Sequence, residues 1–322
     1  MHKKLLNEAT FHLIVSAEGP LLVKSGTEGW DPTIPDMQFV RTHHAQLGET
    51  VFIPGSSLKG TLRSYSEKIA RTLEVFCCDP FDGENSCGKR LEKLAKESNS
   101  FAIYANSCVA CKLYGSTNLA GRAAFADAYP TKPIDVAKQL TKRTAVAIDR
   151  VLGSVAVGPF DFEALMSGEF ETQIRVRNFE LWQLGLLGLA VRDLCLGRIK
   201  VGYGKSRGFG SVSARLKKLE LRSIAEDGLQ WADGRLSIKG IGALLGDEAT
   251  KYEIREQAEL EPIAIDTSLK PVDDLLGASI IFERQADSTE WCAPDATLLF
   301  SQCVKSAWNA YVKTHKAGGQ HG

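Results

Sequence analysis

Four glycines fall within nine residues, Gly202-Tyr-Gly-Lys-Ser-Arg-Gly-Phe-Gly210, and no other stretch restricts the fold as much. A dinucleotide-binding loop lies early in its domain, between a strand and a helix, with an acidic residue about 20 positions later. Here the loop comes late, after an apolar helical stretch (181–197) and before the alternating segment SVSARLKKLEL. A doubly wound nucleotide site is therefore excluded. Between Leu196 and Lys218 there are seven Lys or Arg and no Asp or Glu, so the natural partner is a polyanion. Gly202, Gly204, Gly208 and Gly210 admit a phosphate backbone. Lys205, Ser206 and Arg207 can hold it, and Tyr203 or Phe209 can stack on a base.

A second segment, IPGSSLKGTLR (53–63), joins a short strand to an amphipathic helix. Ser56 or Ser57 reads as the N-cap, which leaves backbone N–H groups free at the helix start. With Lys59 and Arg63 these form a phosphate cradle. The spacing is not that of a phosphate-binding Walker loop.

Eight cysteines are present, and five of them (Cys77, Cys78, Cys87, Cys108 and Cys111) lie in one short segment. The basic, then apolar N-terminus is interrupted by Asn7, Glu8 and His12, so it reads as a first strand of a cytoplasmic protein. In that setting clustered cysteines favour a metal over disulfides. No apolar run approaches about 18 residues, so no membrane span is expected.

The 44% hydrophobic and 24% charged content is that of a globular chain. Its net charge of zero hides an asymmetry: residues 1–218 hold 29 basic and 22 acidic side chains, and the remainder 10 and 17. An acidic rear suits a neighbouring basic protein surface. Coarse patterning gives a strand in 9–23, a loop over 24–50, the helix after Ile53, a cysteine insertion, a strand in 121–130 and an irregular arm. A strand at 170–179, a buried helix and a final strand follow. Strand, helix, strand, strand, helix, strand is the order of an α+β, ferredoxin-like (RRM-like) fold.

Taken together, IPGSSLKGTLR and the late GYGKSRGFG loop resemble the RAMP superfamily of CRISPR-associated proteins. The nearest resemblance is to Cas7-like backbone subunits of type III effector complexes (the Csm3, Cmr4 and Csx7 group). CDPFDGENSCGKR (78–90), CVACKLYGS (108–116), GRAAFADA and RTAVAIDRVLGSVAVGPFDFE (143–163) fit the same pattern. The resemblance implies a core over 1–75 and 113–221, with a thumb-like insertion at about 129–165. It also implies a zinc-binding insertion over 76–112, as in type III-D-like members, and leaves an acidic extension over 222–322. Cys78, Cys87, Cys108 and Cys111 would be the ligands of a closed structural Zn²⁺ site, with Cys77 as spare or substitute for Cys78.

The family's active members cut guide-paired target RNA with a loop aspartate and Mg²⁺ or Mn²⁺. Asp36, five residues before Arg41, matches that spacing, and Asp31 is the runner-up. His43 and His44 offer a different chemistry, metal-free acid–base processing of the guide. An inactive scaffold is the remaining alternative. The implied partners are crRNA, complementary target RNA, neighbouring Cas7-like subunits, and Cas10, Cas5-like and Cas11-like subunits.

Overall fold

The computed structural model describes residues 3–26, 35–225, 227–254, 260, 262–265, 272–274 and 277–316. The chain opens with β1 (Asn7–Ala17) and passes through a hairpin of β2 (Arg41–His44) and β3 (Gly48–Val51) into α1 (Gly55–Thr72). Four short helices follow: α2 (Cys87–Arg90), α3 (Glu92–Lys96), α4 (Ser100–Asn106) and α5 (Val109–Tyr114). Strands β4 (Ala123–Phe125) and β5 (Tyr129–Pro130) precede α6 (Val136–Gln139) and a long hairpin, β6 (Leu140–Ile148) and β7 (Val155–Leu165). Then come β8 (Glu169–Arg177), α7 (Leu181–Cys195) and β9 (Val212–Ser223). The rear of the chain supplies β10 (Leu229–Ala232), β11 (Arg235–Ile238), α8 (Ile241–Leu245), β12 (Ile263–Ala264), β13 (Val272–Asp274) and β14 (Gly277–Glu283). It ends in α9 (Pro294–Gln302) and α10 (Asn309–His315), joined by a π-helical turn.

A mixed α/β architecture results, and among the described residues the four sheets pair antiparallel. The main sheet runs β13-β14-β9-β1-β8-β4, and β5 also pairs with β8. Alternation decides which face is buried. Ala9, Phe11, Leu13 and Val15 of β1 lie beside Phe170, Ile174 and Val176 of β8, on the core side. In β9 the run Leu-Lys-Lys-Leu would break the alternation. A register shift opposite His12 and Leu13 absorbs the extra residue, so that Leu216 and Leu219 both stay buried.

Helix α7 is apolar nearly all round because it is covered twice. One side meets α1 and β9; the other meets the C-terminal helices, where Trp182 stacks on Tyr311 at 4.2 Å and tilts against Trp308 at 6.2 Å. The rear of the chain therefore joins the front in one core: β14 pairs with β9, and the boundary expected at 221 lies inside β9.

Three local expectations change. The segment 24–50, read as loop, contains the β2–β3 hairpin, which is closed by Gly48 at φ +67°. The strand expected over 121–130 is two short pieces, β4 and β5. The arm read as irregular is instead α6 and the regular β6–β7 hairpin, whose Val146, Ile148, Val151, Leu152 and Val155 are all exposed. Among the described residues no helix is long and apolar enough to cross a membrane.

Candidate nucleic-acid interface and metal centre

Helix α1 begins two to three residues earlier than its hydroxyls suggest. Pro54 occupies the N-cap, and Ser57 N–H donates to its carbonyl at 2.9 Å, so Ser56 and Ser57 lie in the first turn and cap nothing. Gly55 has to be glycine here, because an added Cβ would sit 2.4 Å from the Phe125 carbonyl oxygen. Its N–H donates to Asp127 Oδ1 at 2.7 Å. The glycine loop is fixed in a similar way. Gly202 has φ +84°, with Leu22 O only 2.3 Å from where a Cβ would be, and Tyr203 N–H donates to that same oxygen at 2.7 Å.

These anchors bring the two segments onto one cleft of about 620 Å³. Ser56, Ser57, Thr61, Ser64 and Lys68 of α1 line one wall; Lys200, Gly202, Tyr203 and Lys205 line the other, with Lys24 beside them. Among the described residues no carboxylate lines the cleft, and none of Lys24, Lys68, Lys200 and Lys205 has an ion-pair partner. Burial and the neighbouring Lys68 lower the pKa of Lys205; Lys59, which does not line the cleft, is lowered by burial and Arg63. Such uncompensated cations are relieved by a bound anion.

Not every expected residue faces this cleft. Arg63 points into the protein, donating to Glu67 at 2.8 Å, Gly115 O at 2.9 Å and Cys111 Sγ at 3.4 Å. Phe209 is buried edge-on against Phe162 at 5.0 Å, which removes it from surface stacking. Arg207 lies over the Tyr203 ring at 5.1 Å and donates to its hydroxyl at 2.8 Å. Ser206 and Gly208 lie on the exposed outer side of the loop, and buried Gly210 donates its N–H to Pro20 O at 2.8 Å. Sequence reading overlooked Lys24, Lys68 and Lys200. The signal for Lys68 was present, since Ser57, Thr61, Ser64 and Lys68 recur at helical spacing.

Cys78, Cys87, Cys108 and Cys111 are buried, and their sulfurs all lie within 4.8 Å of one another. The Cys78 sulfur is 3.5 Å from that of Cys108 and 3.7 Å from that of Cys111. Tetrahedral thiolates about 2.3 Å from a Zn²⁺-sized ion stand about 3.8 Å apart, so the cluster fits a four-coordinate metal. Cys108 caps α5, its sulfur accepting the Cys111 N–H. Hydrogen bonds from Cys111, Cys77, Cys78 and Cys87 hold the Cys108 pKa far below the thiol range, while donation to Cys108 raises Cys111. Cys78 is in the four-sulfur set and Cys77, half-buried, flanks it. Burial opposes the charge of Arg63, but Glu67 and Cys111 keep it protonated beside the cluster.

Asp36 is exposed at the base of the β6–β7 hairpin, where its Oδ2 accepts the Asp161 backbone N–H at 2.8 Å. Arg41 is tied to Glu163 at 2.5 Å and to Glu49 at 3.5 Å. Asp161 itself is engaged by Lys142 and Thr144. His43 is exposed on β2; His44 packs on Tyr129 at 4.8 Å and accepts Gln46 N–H at 3.3 Å. Asp31 lies outside the described residues.

No curated protein matches the chain. The family profile described as RAMP superfamily matches residues 15–213, a span that holds the cleft, the cysteine cluster and the projecting hairpin. With well over half its length matched, the chain belongs to the RAMP superfamily.

Proposed function

We propose that this protein is a crRNA-binding, Cas7-like backbone subunit of a type III CRISPR effector complex. Membership of the RAMP superfamily suggests a CRISPR-associated RNA-binding subunit, and the observation that carries the reading is the cleft. Two segments about 145 residues apart form one hydroxyl- and lysine-lined groove with no carboxylate among its described lining residues. Such a groove reads phosphates and not bases, so sequence specificity is left to guide–target pairing. The sheet order β9-β1-β8-β4, with α1 after β1 and α7 after β8, supports a ferredoxin-like core. The four sulfurs support a structural Zn²⁺, held by Cys78, Cys87, Cys108 and Cys111, that stiffens an insertion of short helices. The exposed apolar tip of the β6–β7 hairpin supports a thumb lying across the guide–target duplex.

Binding of guide RNA by the wild type and by a Lys68→Glu, Lys205→Glu double variant tests this reading. Affinity is expected to fall at least tenfold; equal affinity would remove the cleft from the RNA path.

Asp36 supports target cleavage as a second activity, because its carboxylate is exposed beside the hairpin. A Mg²⁺ or Mn²⁺ ion held between Asp36 and an RNA phosphate would neutralise charge at the cut. Asp161 N–H orients the Asp36 carboxylate, and Arg41 braces the hairpin base through Glu163. Reconstitution with guide and complementary RNA, with and without Mg²⁺, tests it. Asp36→Ala should abolish a metal-dependent cut with binding intact. Cleavage that persists in chelator and needs His43 or His44 would instead assign guide processing, and no cleavage at all would leave a scaffold.

A further inference from the structure

Among the described residues Phe81 is the most exposed large apolar side chain, 94% exposed. It stands in the loop between Cys78 and Cys87, where Asp79 and Asp82 accept the backbone N–H groups of Phe81, Glu84 and Asn85. The carboxylates of Asp79, Asp82 and Glu84 have no ion-pair partner among the described residues. Elsewhere on the chain a small pocket of about 140 Å³ is walled by Ala145, Phe162, Tyr203, Gly204, Arg207 and Phe209. Arg143 lies over the Phe209 ring at 5.7 Å and Arg207 over Tyr203, and neither guanidinium meets a carboxylate among the described residues.

We propose that Phe81 of one copy seats in this pocket of a second copy, with its acidic loop facing Arg143 and Arg207. The proposal rests on the backbone-subunit reading, in which copies stand side by side. The chemistry favours a phenyl ring over a nucleobase. The wall is mainly Ala145, Phe162, Phe209 and the Tyr203 ring, and the Tyr203 hydroxyl already accepts from Arg207, so an unsubstituted ring suits it better than a base with several donors and acceptors to satisfy. A phenyl ring has no such edge, and the uncompensated charges around knob and pocket are of opposite sign. Because knob and pocket are different surfaces of the same chain, the contact is heterologous and repeats without closing, as a stacked array needs. One aromatic anchor does not make a whole interface, but buried aromatic anchors dominate the energetics of interfaces.

Sedimentation of the full chain, alone and with guide RNA, tests the contact. Phe81→Ala and Ala145→Phe should each weaken self-association about tenfold or more. Phe81→Ala should leave metal content and guide affinity unchanged. An equal mixture of the two variants retains one intact knob and one intact pocket, and should form pairs but no longer arrays. Wild-type assembly by Phe81→Ala would overturn the proposal. So would loss of guide binding in Ala145→Phe while Phe81→Ala assembles normally, since the pocket would then hold a base. Failure of the wild type to bind guide RNA would sink the RNA reading, while sedimentation without RNA would still judge knob and pocket.

Discussion

The open face of the main sheet and the cleft beside the glycine loop are both rich in lysine and arginine, yet they differ in what those cations meet. On the sheet, Arg177 and Arg175 pair with Glu8 at 2.8 and 3.7 Å, Arg215 with Glu169 at 2.8 Å, Lys217 with Glu171 at 3.6 Å and Lys218 with Glu220 at 3.1 Å. In the cleft, Lys24, Lys68, Lys200 and Lys205 share walls with hydroxyls and no described carboxylate, and Lys200 Nζ donates to the Lys205 carbonyl at 2.8 Å. The sheet face is a self-neutralised mosaic whose exposed pairs add about 0–1 kcal/mol each. Counting cations along the chain would rank the two surfaces alike. Whether a phosphate binds depends on the carboxylates that are missing, and that comparison can be tested at both ends.

The largest effect should come from the four-cysteine cluster, because Arg63 links α1, one wall of the cleft, to Cys111 and Gly115. If the proposed metal is bound there, Cys111→Ser or treatment with a strong chelator is expected to cost several kcal/mol in denaturant unfolding. It should weaken guide binding at the same time. If affinity survived with the insertion unfolded, the cleft would not depend on that anchor.

Next, the salt dependence of guide binding should report the uncompensated cations directly. Each phosphate contact to a single strand contributes a slope of about 0.7 in log K against log salt. Lys68→Glu with Lys205→Glu should therefore flatten the slope by about 1.4, measured by fluorescence anisotropy. Arg175→Ala should leave it unchanged, and equal changes would erase the distinction between the two surfaces.

A smaller effect belongs to His12, on the sheet face. Burial and then Lys218 lower its pKa, and its Nε2 has no hydrogen-bond partner among the described residues. The folded state thus keeps His12 neutral, while the unfolded chain takes up a proton below about pH 6.5. More protons bound in the unfolded state means stability falls as pH drops through that range. His12→Gln should reduce that acid sensitivity in thermal melts at pH 5.5 and 7.5, and an unaltered pH profile would refute the assignment. Smallest of all, Arg215→Ala should change stability by under about 1 kcal/mol and guide affinity not at all.

Much of the site was legible before any coordinates. The glycine loop, the serine-rich helix start and the cysteine spacing are local patterns, and local patterns state their chemistry in the residues themselves. What stayed hidden depends on partners far away in sequence. Arg63 reads as a surface cation until Cys111 and Gly115, about 50 residues on, claim it. Phe209 reads as a stacking residue until Phe162 covers it. The C-terminal residues read as an acidic appendage. Their charges are frequent, whereas the few apolar residues that seat α9 and α10 on α7 form no motif.

The sequence by itself determined the available chemistry: a glycine-rich basic loop and a serine-rich helix start that can approach phosphate, five clustered thiols that can hold a metal, and the periodicity of the longer strands and helices. The tertiary structure alone decided which lysines are uncompensated, which arginine is internal and which aromatic is free. Hydrophobic period and glycine conformation are properties of neighbours along the chain. Ion pairing and burial are properties of neighbours in space, and in this fold those neighbours lie up to about 240 residues apart, as Lys4 and Glu248 do.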